Sequence, residues 1–136
     1  MPTELASNPW SIILHHPDDG ILELRWLPST ASMTDGGFKA TLALFAFEAE
    51  KVRPPFLLID ALQFHHTFGE GVMQWRDDHI IPRYGAAGTR KFAFHVPKDF
   101  PSTMESGGLE APEGQAIFPT AWFSDREHIL EWFRKD

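Results

Sequence analysis

Phe56-Leu57-Leu58-Ile59-Asp60 is a run of four apolar residues fenced by Pro54-Pro55 before it and an acid after it. The run has no polar face to turn toward water, so a strand built from it must be covered on both sides. Such a strand belongs inside a sheet flanked by other layers, which points to an α/β domain with this segment as a central, parallel strand. The two prolines cannot continue a helix, and they separate the run from whatever helix precedes it. At 136 residues the chain has the size of one such domain, residues 1–136.

The rest of the chain supplies the neighbours. Trp10 to His15 and Ile21 to Leu27 are β-type runs joined by Pro17-Asp18-Asp19-Gly20, which reads as a hairpin. In the second run Leu22, Leu24 and Trp26 alternate with Glu23 and Arg25, so one face is expected to be solvated and the strand to lie near a sheet edge. Residues 1–9 read as a loose N-terminus. From Thr34 to Val52, Phe38, Leu42, Phe45, Ala49 and Val52 recur at helical spacing and form a core face. Ala40, Leu44 and Phe47 form a second apolar patch on the far side of the same helix, an expected association surface.

Thr67-Phe68-Gly69-Glu70 fits a capping box with Thr67 as N-cap, opening a helix with Val72, Trp75 and His79 on its buried face. Pro82 breaks or kinks that helix. Lys91 to Val96 is a further strand, and Ser102 to Glu105 is a possible short helix start. Residues 106–115, with three Gly and one Pro, read as a mobile loop. A strand near Thr120 to Phe123 and a helix opened by Ser124-Asp125-Arg126-Glu127, burying Ile129, Trp132 and Phe133, close the chain. The order is β-β-α-β-α-β-(α)-β-α: an α/β fold with a single mixed sheet of about five strands and helices packed against it.

Charge and composition remove several functions. Nineteen acids against 12 Lys and Arg give a net charge of −7, which repels a phosphate backbone, so no nucleic-acid partner is expected. With no Cys there are no disulfides, thiolate nucleophiles or Cys-based zinc sites. No secretory leader or membrane span is recognisable, and a cytoplasmic location is the expectation. Phosphate-cradling Gly loops and Gly-x-Ser-x-Gly elbows are absent.

The chemistry that remains is histidine and carboxylate. Open α/β sheets bind ligands outside the carboxyl ends of their strands, and Asp60, His65, His66 and His95 fall at those ends, a candidate ligand-binding rim. Their spacing matches no zinc signature, and adjacent histidines on extended chain point opposite ways, so neither metal nor other cofactor is expected. His15 and His16 precede a turn and read as solvated. His79, on an apolar stripe, reads as a hydrogen-bonded core residue.

Several strings together resemble the STAS-like (SpoIIAA-like) family of small bacterial proteins, often grouped with CRAL-TRIO-type domains. They are Asp19 to Trp26, Phe56 to Asp60, Trp75 with Ile81-Pro82-Arg83, Lys91 to Pro97, and Phe123-Ser124-Asp125 with Glu131-Trp132. The resemblance spans nearly the whole chain. It implies a module that docks a partner protein and is switched by phosphorylation at the start of the helix after the third strand, where Thr67 is the nearest residue. His66-Thr67 stands where those domains carry Asp-Ser, and the capping box accounts for Thr67 without phosphorylation. The functional expectation is therefore a non-enzymatic protein-interaction or regulatory module that binds a partner or itself. The alternative is a small-molecule-binding protein or enzyme that uses the Asp60 and histidine rim on a small, apolar ligand.

Overall fold

The computed structural model describes residues 2–98 and 118–135. Strands β1 (Thr3–Asn8), β2 (Ser11–His16) and β3 (Ile21–Trp26) lead through a 3-10 turn (Pro28–Ser32) into helix α1 (Asp35–Val52). Then follow β4 (Phe56–Asp60), α2 (Val72–His79), α3 (Ile81–Ala86), β5 (Lys91–His95), β6 (Thr120–Phe123) and α4 (Arg126–Arg134). The strands form one mixed sheet in the order β1-β2-β3-β4-β5-β6. Tight turns make β1, β2 and β3 antiparallel, and from β3 onward every pair is parallel. Residues 102–105 and 106–115 lie outside the described residues.

Stepping through parallel strands in sequence order with crossovers of one hand places the intervening helices on one face. The core divides accordingly. Leu22, Leu24, Trp26, Leu57, Ile59, Phe92 and Phe94 pack with Phe38, Leu42 and Phe45 of α1 and with Val72, Ile81 and Tyr84. The alternate residues Ile21, Leu58 and Ala93 pack instead with Ile129 and Phe133 of α4. Helix α4, which follows the last strand, thus covers the opposite face. Lys91 Nζ donates to the carbonyls of Trp132 and Lys135, holding the C-terminal end of α4 on β5.

Several expectations are corrected. The segment 1–9, expected to be loose, holds a strand: Thr3–Asn8 pair along β2, adding a sixth strand, and Asn8 Nδ2 donates to Thr41 Oγ1 of α1 at 2.9 Å. β3 is not near an edge and its Glu23 face is not solvated. It lies between β2 and β4, and Glu23 is completely buried. The alternation read as polar-outward reflects a second covered face whose covering residue, Arg126, lies 103 positions away. Thr67 is not a cap: α2 begins at Val72 behind Gly71, whose positive φ of 82° suits glycine. The buried face of α2 is Val72, Arg76 and Asp77, and His79 is exposed rather than in the core. At α4 the cap is Asp125, accepting from Glu127 N at 2.8 Å, with Ser124 one residue before it.

The working threonine cap is Thr34, whose hydroxyl accepts from Gly37 N at 3.0 Å at the start of α1. Thr34→Ala is expected to cost about 1 kcal/mol, whereas Thr67→Ala, at an exposed loop position, should stay within about 0.5 kcal/mol of wild type. Urea unfolding of the two variants checks this, and the reverse ranking would mean that Thr67 holds the loop.

Candidate functional site

Parallel register places Arg25, Asp60, His95 and Phe123 side by side across the carboxyl ends of β3 to β6. Because Trp26, Ile59 and Phe94 join the core beneath α1, alternation turns Asp60 and His95 toward the α4 face. Asp60 Oδ1 accepts from Leu62 N at 3.1 Å, and its Oδ2 lies 3.6 Å from Arg25 Nε. The His95 carbonyl accepts from Ala61 N at 2.8 Å, and its Nδ1 is buried with no hydrogen-bond partner among the described residues. The structure therefore brings Asp60 and His95 together.

The other two rim residues go elsewhere. After β4 the chain turns at Leu62-Gln63, with Phe64 N donating to the Ala61 carbonyl, and burial then alternates: Phe64, His66 and Phe68 are half-buried while His65 and Thr67 are exposed. His66 lies under the N-terminus of α1, its Nε2 at 2.7 Å from Asp35 Oδ1 and its ring stacked 6.4 Å from Phe38. Gly69 N donates to the same carboxylate, and a Cβ at Gly69 would collide with Asp35 Oδ2. The His66 hydrogen bond, together with that from Gly69, holds the Asp35 carboxyl below its ordinary range despite partial desolvation. His65 contributes its backbone N–H, donated at 2.8 Å to the buried Thr30 hydroxyl. The four residues thus divide between opposite faces of the sheet, and no group of three His, Asp or Glu among the described residues could hold a metal ion.

The strongest polar cluster of the molecule is one that sequence reasoning passed over. Glu23 Oε1 receives His16 Nε2 at 2.8 Å and Arg126 Nη2 at 3.0 Å, while Arg25 Nε binds Oε2 at 3.0 Å. Burial by itself would raise the Glu23 carboxyl, but Arg126, Arg25 and His16 outweigh it and hold the group below the usual glutamate range. His16 is a partner of this cluster rather than a solvated residue. Alternation along β2 and β3 hinted at this grouping, since His16, Glu23 and Arg25 share one face of the hairpin. Nothing local pointed to Arg126.

On the outer side of α1, Ala40 is exposed, Leu44 half-buried and Phe47 50% exposed, with Lys51 Nζ 5.1 Å from the Phe47 ring. Among the described residues no helix is long and apolar enough to cross a membrane. In comparisons with known proteins, the chain matches no family model, no curated protein and no solved structure.

Proposed function

We propose that this chain is a non-enzymatic protein-interaction module of STAS-like type that associates with a second copy of itself through the outer face of α1. The STAS-like part rests on the sequence strings quoted above. The self-association rests on the half-exposed Phe47 ring and on what surrounds it. Gly36, Ala40, Leu44 and Phe47 recur at helical spacing away from Phe38, Leu42 and Phe45; Ala43 and Leu44 at its margin pack partly against the core, and Lys51, one turn after Phe47, lies over its ring.

The stripe is also self-complementary. Two copies of α1 packed antiparallel about a two-fold axis near Ala43 and Leu44 set Phe47 of each against Ala40 of the other, because 40 and 47 lie equally far from that axis. A large ring then meets a small side chain at both ends, which lets the helices approach closely. The net charge of −7 opposes the pairing only weakly at physiological salt, where exposed charges more than about 8 Å apart are screened.

Light scattering at rising concentration tests the proposal: wild type is expected to form dimers, and Phe47→Glu is expected to remain monomeric, with the unfolding midpoint that wild type shows at concentrations where it too is monomeric. A wild-type protein that is monomeric throughout overturns it.

A further inference from the structure

Arg76 is the most anomalous polar residue in the described structure. It lies on the inward face of α2 and is only 4% exposed. Its Nε donates to Asp77 Oδ1 at 3.1 Å, and Nη2 lies 3.0 Å from the same oxygen without a well-directed N–H. Among the described residues neither Nη1 nor Nη2 has a hydrogen-bond partner, and both are buried. A guanidinium carries five donors and cannot shed its charge, so the unpaired end cannot be relieved by deprotonation. A buried donor left unpaired keeps its full desolvation penalty with no bond to offset it. Native structures leave few such groups unexplained.

The Arg76 side chain lines a cavity of about 10 Å³ whose other walls include Trp26, Phe38, Ile59, Tyr84 and Phe94. Trp26 ends β3, and Ile59 and Phe94 are the penultimate residues of β4 and β5, so the cavity sits beneath the carboxyl end of the parallel strands. Burial raises the Tyr84 hydroxyl well above its ordinary range, in keeping with a dry interior. Next to the cavity stand Phe64, packed edge-on to Trp26 at 5.1 Å, and Phe68, 4.6 Å from Phe38. Both belong to the stretch 61–71, which has no regular secondary structure.

We infer that Arg76 is the polar anchor of a binding site for a small apolar molecule that carries an acceptor oxygen. The unpaired end of the guanidinium takes that oxygen. The apolar body occupies space now filled by the Phe64 and Phe68 rings, which the ligand displaces from the crevice. A carboxylate would span Nη1 and Nη2, competing at Nη2 with Asp77 Oδ1. A neutral carbonyl would use one and bring no additional charge into the site. This site is separate from Asp60, His65 and His95 and from the outer face of α1, while His66 packs at its edge against Phe38, Phe64 and Phe68.

Binding of benzoate, methyl benzoate and toluene to the full chain, measured by calorimetry and by thermal shift, tests the inference. The three share an aromatic body and differ in the acceptor. Benzoate or methyl benzoate is expected to bind wild type at least tenfold more tightly than toluene, and whichever binds identifies the charge of the natural ligand. Phe64→Ala removes a ring that must move, so it should tighten that binding several-fold while keeping the preference for oxygen. Arg76→Met should erase the preference. If Arg76→Met fails to fold, the ranking of the three probes on wild type and Phe64→Ala decides alone. Equal binding of toluene overturns the inference. So does the absence of binding by any probe at millimolar concentration to both proteins, which would leave the cavity to a single water molecule.

Discussion

Trp26→Ala is expected to lower stability by about 3–5 kcal/mol, among the largest single-residue losses available in this molecule. Trp26 is 1% exposed at the end of β3. Its indole stacks on Phe38 with ring centres 5.6 Å apart and planes 15° from parallel, and it meets Phe64 edge-on. Three separate pieces of chain, β3, α1 and the stretch after β4, therefore close on one side chain. Truncation removes the area buried and leaves a void beside rings that cannot collapse without shifting α1. Urea unfolding should show a lower midpoint with an unchanged slope. The half-buried Trp75, whose face is covered by Lys39 at 5.4 Å, provides the internal comparison, and its truncation should cost clearly less. A Trp26→Ala loss under about 1.5 kcal/mol, smaller than a typical loss for such a core truncation, would mean that the aromatic cluster is not tightly packed.

The second large effect is a change in acid sensitivity on Glu23→Gln. The folded-state pKa of Glu23 is depressed, because Arg126, Arg25 and His16 favour its charged form more than burial opposes it. A depressed carboxylate contributes stability that is fully present above the unfolded value of about 4.3 and is lost as pH falls through the lower folded value. Wild type should therefore lose stability below about pH 4.3 with a component that Glu23→Gln lacks. At pH 7 the variant should be weaker by about 1–3 kcal/mol, since the amide keeps the shape but gives up charge-assisted bonds. Arg25 and Arg126 keep 41% and 35% of their side-chain surfaces in solvent and can rehydrate, which holds the cost below that of breaking a fully buried pair. Parallel acid limbs for the two proteins would mean that the cluster does not govern acid unfolding.

Both predictions concern residues whose importance was unequally visible in the chain. Trp26 was legible as a core residue, because Leu22, Leu24 and Trp26 repeat at the period of a strand. The same alternation puts Glu23 on the opposite face, which the sequence alone assigns to solvent. The period shows that Glu23 opposes Leu22 and says nothing about what covers it. Similarly, the inward set Phe64, His66 and Phe68 carries a strand-like alternation that was present in the sequence. The capping-box reading of Thr67 and Glu70 drew that stretch toward a helix that starts only at Val72.

At the candidate site, the separation of His65 from His66 followed from extended-chain geometry, and the pairing of Asp60 with His95 followed from two neighbouring parallel strands. The destination of His66 did not, because its partner Asp35 lies 31 residues earlier on another element. Arg76 was invisible for a different reason. On α2 it sits among Gln74, Asp77 and Asp78, and no periodicity marks a charged residue as the one that turns inward.

By itself the sequence determined the apolar central strand, the extent and core face of α1, the α/β class and the exclusion of thiol chemistry. Each of these depends on residue types recurring at the period of a single element, which is local information. Only the tertiary structure decided that residues 3–8 pair as an edge strand, that α4 covers the second face of the sheet, and that Glu23 and Arg76 are buried. Those outcomes depend on which distant segment arrives to cover a surface, a choice made by packing the whole core at once. A polar side chain is buried when the partners or cavity around it make that state the lowest in free energy, and those surroundings are assembled from residues far apart in the chain.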